Sequence, residues 1–429
     1  MSARAKKWIE RIKSALIVLL MLSMTVLFLL TWSTDTASLP EGVQRVVSGV
    51  QRFFGGGAEQ PPVVEGSRAE TYGDAVYLTS AAINADGRTR AMFAPDASLD
   101  EFASSLRPLL ADCLASADSP TEISISGCVA ATRADGVFAS YSGTLKCSLL
   151  ARTIGVECHS AGDSSADRVF LAAADERVEL YAISGGGCYR FTTAVDSSRL
   201  DALLSTELGG AADWSYDLGF ADADLAVYPD GDLRLPTASS SPATVSDGTF
   251  GSMLEAFSMN PATNYRYTSA GGTQYVVEDA QLIAISVDGH IRYAFQGGTA
   301  SGYHARAIRS EDAAVEHCRK LLGTVAAGAI GDAKLSLRAV EYDESGRMTV
   351  RFGYTLGSLP VYIDGSRDAA VFTFESGTLT SAHITLRRYA YDGETALMMP
   401  PASAAAIDSG ALCYFDSTDT GTLTPDWTR

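Results

Sequence analysis

The groups in this 429-residue chain that could do chemistry are five histidines, seven cysteines and 51 acidic side chains. His159, His290, His304, His317 and His383 are scattered, with no HExxH pair to hold zinc and no spacing that couples a nucleophile to a base. The densest acidic run, DLGFADADLAVYPDGD, carries Asp217, Asp222, Asp224, Asp230 and Asp232. Such oxygens suit calcium, but the run lacks the D-x-[DN]-x-[DN]-G order and the bidentate Glu of a calcium loop, and it reads as solvated turns. Glu176 with Glu179, or Asp222 with Asp224, could work as an acid/base pair on a glycan, although in so acidic a chain such pairs arise without purpose. Gly185-Gly186-Gly187 has no helix start behind it to hold a phosphate, and reads as a hairpin turn. GxSxG, P-loop and dinucleotide signatures do not occur. The expectation is a chain without catalytic residues, metal ligands or cofactor.

Cys113, Cys128, Cys147, Cys158, Cys188, Cys318 and Cys413 are odd in number and contain no CxxC. They are expected to be mostly buried, reduced thiols rather than a disulfide framework or a zinc site. A net charge of −18 provides no basic face to displace counterions from phosphates, so nucleic acid is not an expected partner.

What must position any functional surface begins with SALIVLLMLSMTVLFLLTW, Ser14 to Trp32, which holds no charge in nineteen residues. As a helix this covers roughly 29 Å, close to the hydrocarbon thickness of a bilayer. Arg4, Lys6, Lys7, Arg11 and Lys13 precede it and Asp35 and Glu41 follow, which predicts a cytoplasmic tail at 1–13, a span at 14–32 and an outer body. The apolar core exceeds that of a cleaved signal, and only Thr36-Ala37-Ser38 offers a weak cut site. Leu19, Leu22, Val26, Leu29 and Leu30 form one stripe on this helix, and Ser23 with Thr25 could add interhelical hydrogen bonds. Within a juxtamembrane helix and linker at 33–70, Val43, Val46, Val47, Val50, Phe53 and Phe54 form a second apolar stripe. Leu19, Leu22, Ser23, Val26, Leu29, Leu30, Val43, Val47, Val50 and Phe54 are thus the candidate partner contacts; resting against lipid or the first domain is the other reading of both stripes.

Beyond about Thr71 the hydrophobic period becomes two, broken by Asp-Gly turn signals such as Asp86-Gly87 and Asp288-Gly289. This predicts an α+β fold of antiparallel sheets with helices packed on one face, divided into units at 71–236, 249–300 and 301–429. Helices are expected over Leu99–Ala117, over SRLDALLSTEL and after a Ser310 cap, and EISISGCVAA is expected as a strand. Pro236 to Gly248, PTASSSPATVSDG, lacks any core-forming period and reads as a boundary.

RVELYAISGGGCYRFTTA, FSMNPATNYRYTSAGGTQYVVEDAQLIAISVDGHIRYAF, GYTLGSLPVYIDGSRDAAVFTFESGTLTSAHITLRRY and the ending ALCYFDSTDTGTLTPDW, in that order, resemble the YycH/YycI regulatory proteins. These are single-pass membrane accessories of the WalK histidine kinase in Gram-positive bacteria. The likeness touches most of the chain through ordered patterns, while the 33–70 region and the cysteine content depart from it. It implies a non-enzymatic, membrane-anchored extracytoplasmic protein that modulates a sensor histidine kinase in cell-wall homeostasis, with the membrane, the kinase and a paralogous YycH/YycI protein as partners. An anchored envelope hydrolase, or a free-standing envelope sensor or scaffold, are the alternatives the residues leave open.

Overall fold

The computed structural model describes residues 75–429 apart from 94–96, 161–163, 207–208, 220–224, 296–307, 407–410 and the single positions 186, 264, 309, 358, 419 and 429. The expected span, the juxtamembrane helix and all ten candidate contact residues lie outside the described residues. No described helix is long and apolar enough to cross a membrane.

Alternating patterns become strands wherever a turn lets the chain fold back. Asp86 and Gly87 both take positive φ, 52° and 69°, which the tight turn between β1 (Leu78–Ala85) and β2 (Arg88–Phe93) requires. The first sheet continues with β3 (Thr121–Ile123), β4 (Gly136–Lys146), β5 (Ser165–Ala174), β6 (Arg177–Ser184), β7 (Gly187–Asp196), β8 (Gly210–Trp214) and β9 (Val227–Pro229). Its order among the described residues is β3-β7-β6-β5-β4-β1-β2-β8-β9, antiparallel throughout. Gly185, at φ 49°, sits in the β6–β7 turn read from the glycine triplet.

The second sheet holds β10 (Arg234–Pro242), β11 (Arg266–Thr268), β12 (Gln274–Glu278), β13 (Gln281–Ile285), β14 (His290–Phe295), β15 (Lys334–Tyr342), β16 (Met348–Leu356), β17 (Leu359–Ile363), β18 (Ala370–Glu375), β19 (Thr378–Thr385), β20 (Arg387–Leu397), β21 (Leu412–Asp416) and β22 (Thr422–Trp427). The path runs β11-β12-β13-β14-β19-β18-β16-β17-β21-β22-β10-β20, with β15 paired to β16. All ladders are antiparallel except the parallel pair β17–β21.

Helices cover these sheets. α1 (Ala97–Ser116) buries Leu99, Phe102, Leu106, Leu109, Leu110, Cys113 and Leu114, the stripe expected from its spacing. α2 (Ile125–Ala131) is capped by Ser124, whose hydroxyl accepts from Gly127 N at 3.2 Å. Here EISISGCVAA departs from expectation: its β-branched residues suggest a strand, but the cap stops the ladder at Ile123. After α3 (Cys147–Thr153), α4 (Ser198–Leu204) and α5 (Ser215–Leu218), the second sheet is covered by α6 (Asp247–Ala256) and α7 (Glu311–Val325), and α8 (Pro401–Ala406) follows β20. α7 is capped by Ser310 and buries Ala314, Cys318, Leu321, Leu322 and Val325 as its spacing predicts.

The first sheet is covered on both faces rather than one. α1 and α4 pack with Ile83, Val137, Leu171 and Leu180, whereas α2 packs through Cys128 with Phe138, Phe170, Tyr181 and Trp214. Each such fully buried Leu or Phe contributes roughly 1.5–3 kcal/mol over its exposed state. All seven cysteines are buried, free thiols.

The expected boundary after 236 is also revised. β10 uses Arg234–Pro242 to pair with β20 and, at Ala238 and Ser239, with β22, and no free linker separates it from the second sheet. One apolar cluster joins Leu106, Val137 and Leu180 to Leu235, Tyr354, Leu356, Tyr389 and Tyr414. The described residues form one compact unit with a seam between two sheets.

Candidate functional site

The seam is where the backbones come closest. A Cβ at Gly143 in β4 would lie 2.4 Å from the Leu337 carbonyl oxygen and 2.6 Å from Arg338 Cα, so only glycine lets β4 and β15 cross there. A Cβ at Gly353 in β16 would meet Arg338 Cδ at 2.6 Å and the Arg367 carbonyl at 2.7 Å, so this glycine admits two arginines to one place. Ala75, 1 % exposed, enters at the same seam, and its carbonyl accepts from Leu337 N at 2.6 Å.

Beside this crossing lies a cavity of about 350 Å³, within the range of small-molecule sites. From the first sheet it takes Thr79 and Ser80 of β1, Ser140 to Ser142 of β4, and Asp167 and Arg168 of β5. From the second it takes Leu359 and Pro360 of β17, Arg367, Leu412 of β21 and Trp427 of β22. Phe93, Tyr141 and Tyr228 add aromatic wall, with the Tyr228 and Trp427 rings 5.5 Å apart and Trp427 Nε1 donating to the Met399 carbonyl at 3.0 Å. Burial pushes the Tyr141 phenol up, so its hydroxyl stays neutral. A second cavity, about 270 Å³, shares Tyr141 and is lined by Val76, Tyr77 and Leu78, so the segment leading into β1 runs between the two.

The charges in this wall and beside it are not evenly matched; Asp167, Arg168 and Arg367 line the cavity. Arg168 is satisfied: Nε donates to Asp167 Oδ1 at 2.9 Å and Nη1 to the Leu225 carbonyl at 3.1 Å. Arg338 Nη1 and Arg351 Nη1 both donate to Asp368, at 2.8 and 2.6 Å, and Arg351 Nε donates to Glu341 at 2.9 Å. Desolvation, followed by repulsion from Arg367, holds the Arg338 guanidinium below its ordinary range. Arg367 lies over the Tyr362 ring, 5.3 Å from its centroid, and among the described ion pairs it has no carboxylate. Arg338 Nε, Arg367 Nε and Ser142 Oγ are buried without a hydrogen-bond partner in the protein. Ser142, 3 % exposed, and Arg367 both line the cavity.

The groups singled out in the sequence lie elsewhere. His290 opens β14, its Nδ1 3.2 Å from Thr385 Oγ1, and His383 faces Arg292 across β19 and β14. Asp222 and Asp224 fall outside the described residues. Glu179 accepts from the Tyr181 hydroxyl, and Glu176 has its backbone carbonyl bonded to Ser197 N at 3.0 Å. Among the described residues no cluster of three or more His, Cys, Asp or Glu could hold a metal. Sequence reasoning missed Ser142 and Arg367, since neither belongs to a motif; the nearest signals were Gly143 and Gly353, whose purpose appears only where strands cross.

Neither a protein-family model nor a curated protein matches this chain. The crystal structure of an uncharacterized protein from Eubacterium rectale ATCC 33656 aligns over 45 % of this chain and 76 % of its own, at 12 % identity and a TM-score of 0.31. A likeness of that size carries no argument about fold or function.

Proposed function

We propose that the chain is a single-pass, membrane-anchored regulator: its outer body binds a small ligand at the seam and acts on a sensor histidine kinase through the anchor and through outer contacts. The observation that supports it best is positional. Thr79 and Ser80 of the cavity wall belong to β1, the first described strand, a few residues beyond Ala75, whose backbone is tied to β15. A change at the cavity therefore reaches, within one strand, the segment running toward the expected anchor. The resemblance to YycH/YycI proteins and the uncharged run from Ser14 to Trp32 supply the rest of the reading: an extracytoplasmic body, a kinase partner and a YycH/YycI-like protein as co-partner.

Exchange of residues 14–32 for an unrelated membrane-spanning helix tests it. Co-purification from solubilised membranes should then lose the histidine kinase by about ten-fold or more, because helix packing and not mere tethering makes the complex. Equal capture and equal kinase phosphorylation with the exchanged helix would overturn the mechanism.

A further inference from the structure

Resting on the reading of the seam cavity as a ligand site, we infer that its ligand is a small organic anion: one carboxylate on an aromatic or branched apolar body. Three features of the wall select this class. First, the protein is acidic overall, at −18, yet this wall contains a guanidinium without a described carboxylate partner beside an already matched Asp167–Arg168 pair. An acidic surface with one half-buried cation that lacks a carboxylate favours an anion at that point and repels it elsewhere, which confines binding to the cavity.

Second, the unused hydrogen-bonding capacity is small. Arg367 Nε and Ser142 Oγ are the unpartnered buried atoms of the lining residues. One guanidinium edge and one hydroxyl match the two oxygens of a carboxylate; a phosphate would bring a second charge and a third oxygen to the same two donors. Because both atoms are shielded from solvent, side-chain rotation at Arg367 has to accompany binding, and that rotation acts on its contact with Tyr362. Third, the Tyr228–Trp427 pair gives the ligand body an aromatic surface, and a 350 Å³ space admits one amino-acid-sized side chain rather than an extended polymer.

The test is calorimetric titration of the full chain in lipid nanodiscs, with empty discs as control, using N-acetyl-phenylalanine and its uncharged analogue N-acetyl-phenylalaninamide. The acid should bind, the amide about ten-fold or more weaker, and Arg367→Met should bring the acid down to the level of the amide. Ser142→Ala, a change of one buried atom, should weaken the acid several-fold while leaving the melting temperature at or above that of the parent. Acid and amide binding equally and competing with each other would overturn the anion class and leave the cavity a ligand site. Absence of binding by either up to about 10 mM would remove the cavity as a ligand site of this class, with kinase capture through the anchor still to be judged separately.

Discussion

His317 sits half-buried on α7, its ring in a T-shaped contact with Phe374 at 6.3 Å between centroids, with Lys320 on the same helix and Glu255 of α6 lining the same hollow. Burial, helped by Lys320, holds its imidazole below the usual histidine range. The unfolded chain therefore takes up a proton near pH 6.5 that the folded chain refuses until the pH is lower. More protons bound in the unfolded state means that stability rises with pH across this window and is lost on acidification. His383, also pushed down by burial and by Arg292, has the same sign. Urea midpoints at pH 7.5 and 5.5 should show a smaller acid loss in His317→Gln than in the parent; an unchanged difference would mean that the ring titrates like a solvated one. None of this was legible from the residue alone. The sequence places His317 in a capped helix, but the ring's neighbours come from β18 and α6, far along the chain.

Between elements a buried polar cluster joins β10, β20 and β21. Arg387 and Asp416, each 2 % exposed, form a two-pronged ion pair, with Arg387 Nη2 to Asp416 Oδ1 at 3.1 Å. Tyr389 donates to Asp416 at 2.9 Å, Ser240 donates to Asp416 at 2.7 Å and Arg387 N donates to the Tyr354 hydroxyl at 3.2 Å. With every oxygen of Asp416 in use, the pair is held in register. Removal of one partner leaves an unmatched charge in the core, so Arg387→Met should cost about 3–5 kcal/mol, and the Arg387→Met/Asp416→Leu double variant clearly less than the sum of the single changes. Chemical denaturation of the four proteins of this cycle measures it; additive costs would deny the coupling. The same cluster explains why β10 hid in the sequence. TASSSP has no alternating apolar residues, yet Ala238 and Ser240 point inward at 2 % and 6 % exposure, and the serine is matched by charge rather than by grease. By contrast β12 to β14, β15–β16 and β18–β19 were legible as hairpins, because most core positions there are Val, Ile, Phe, Tyr or Leu next to a plain turn.

At the scale of the whole molecule, one of the apolar clusters spans both sheets. Leu106 and Leu180 on one side and Tyr354, Leu356 and Tyr389 on the other belong to a single cluster, so neither sheet can melt without exposing the other. Hydrogen exchange protection of β5 and of β16, which both contribute to this cluster, should collapse at the same urea concentration, and the transition should coincide with that of tyrosine and tryptophan fluorescence. A clear gap between the midpoints would mean two independently folding halves, as the stretch Pro236 to Gly248, without a core-forming period, suggests when read alone. The cavity at the seam escaped the sequence for the same reason: its wall is assembled from β1, β4, β5, β17, β21 and β22, which only the closed core brings together.

The place of β1 has a mechanical consequence. Strain applied at Ala75 enters a strand held by β2 on one side and β4 on the other, so no outer edge is available to peel away first. Two ladders must give way together, and the body withstands tugging from its amino-terminal end better than it would if the chain entered through an outermost strand.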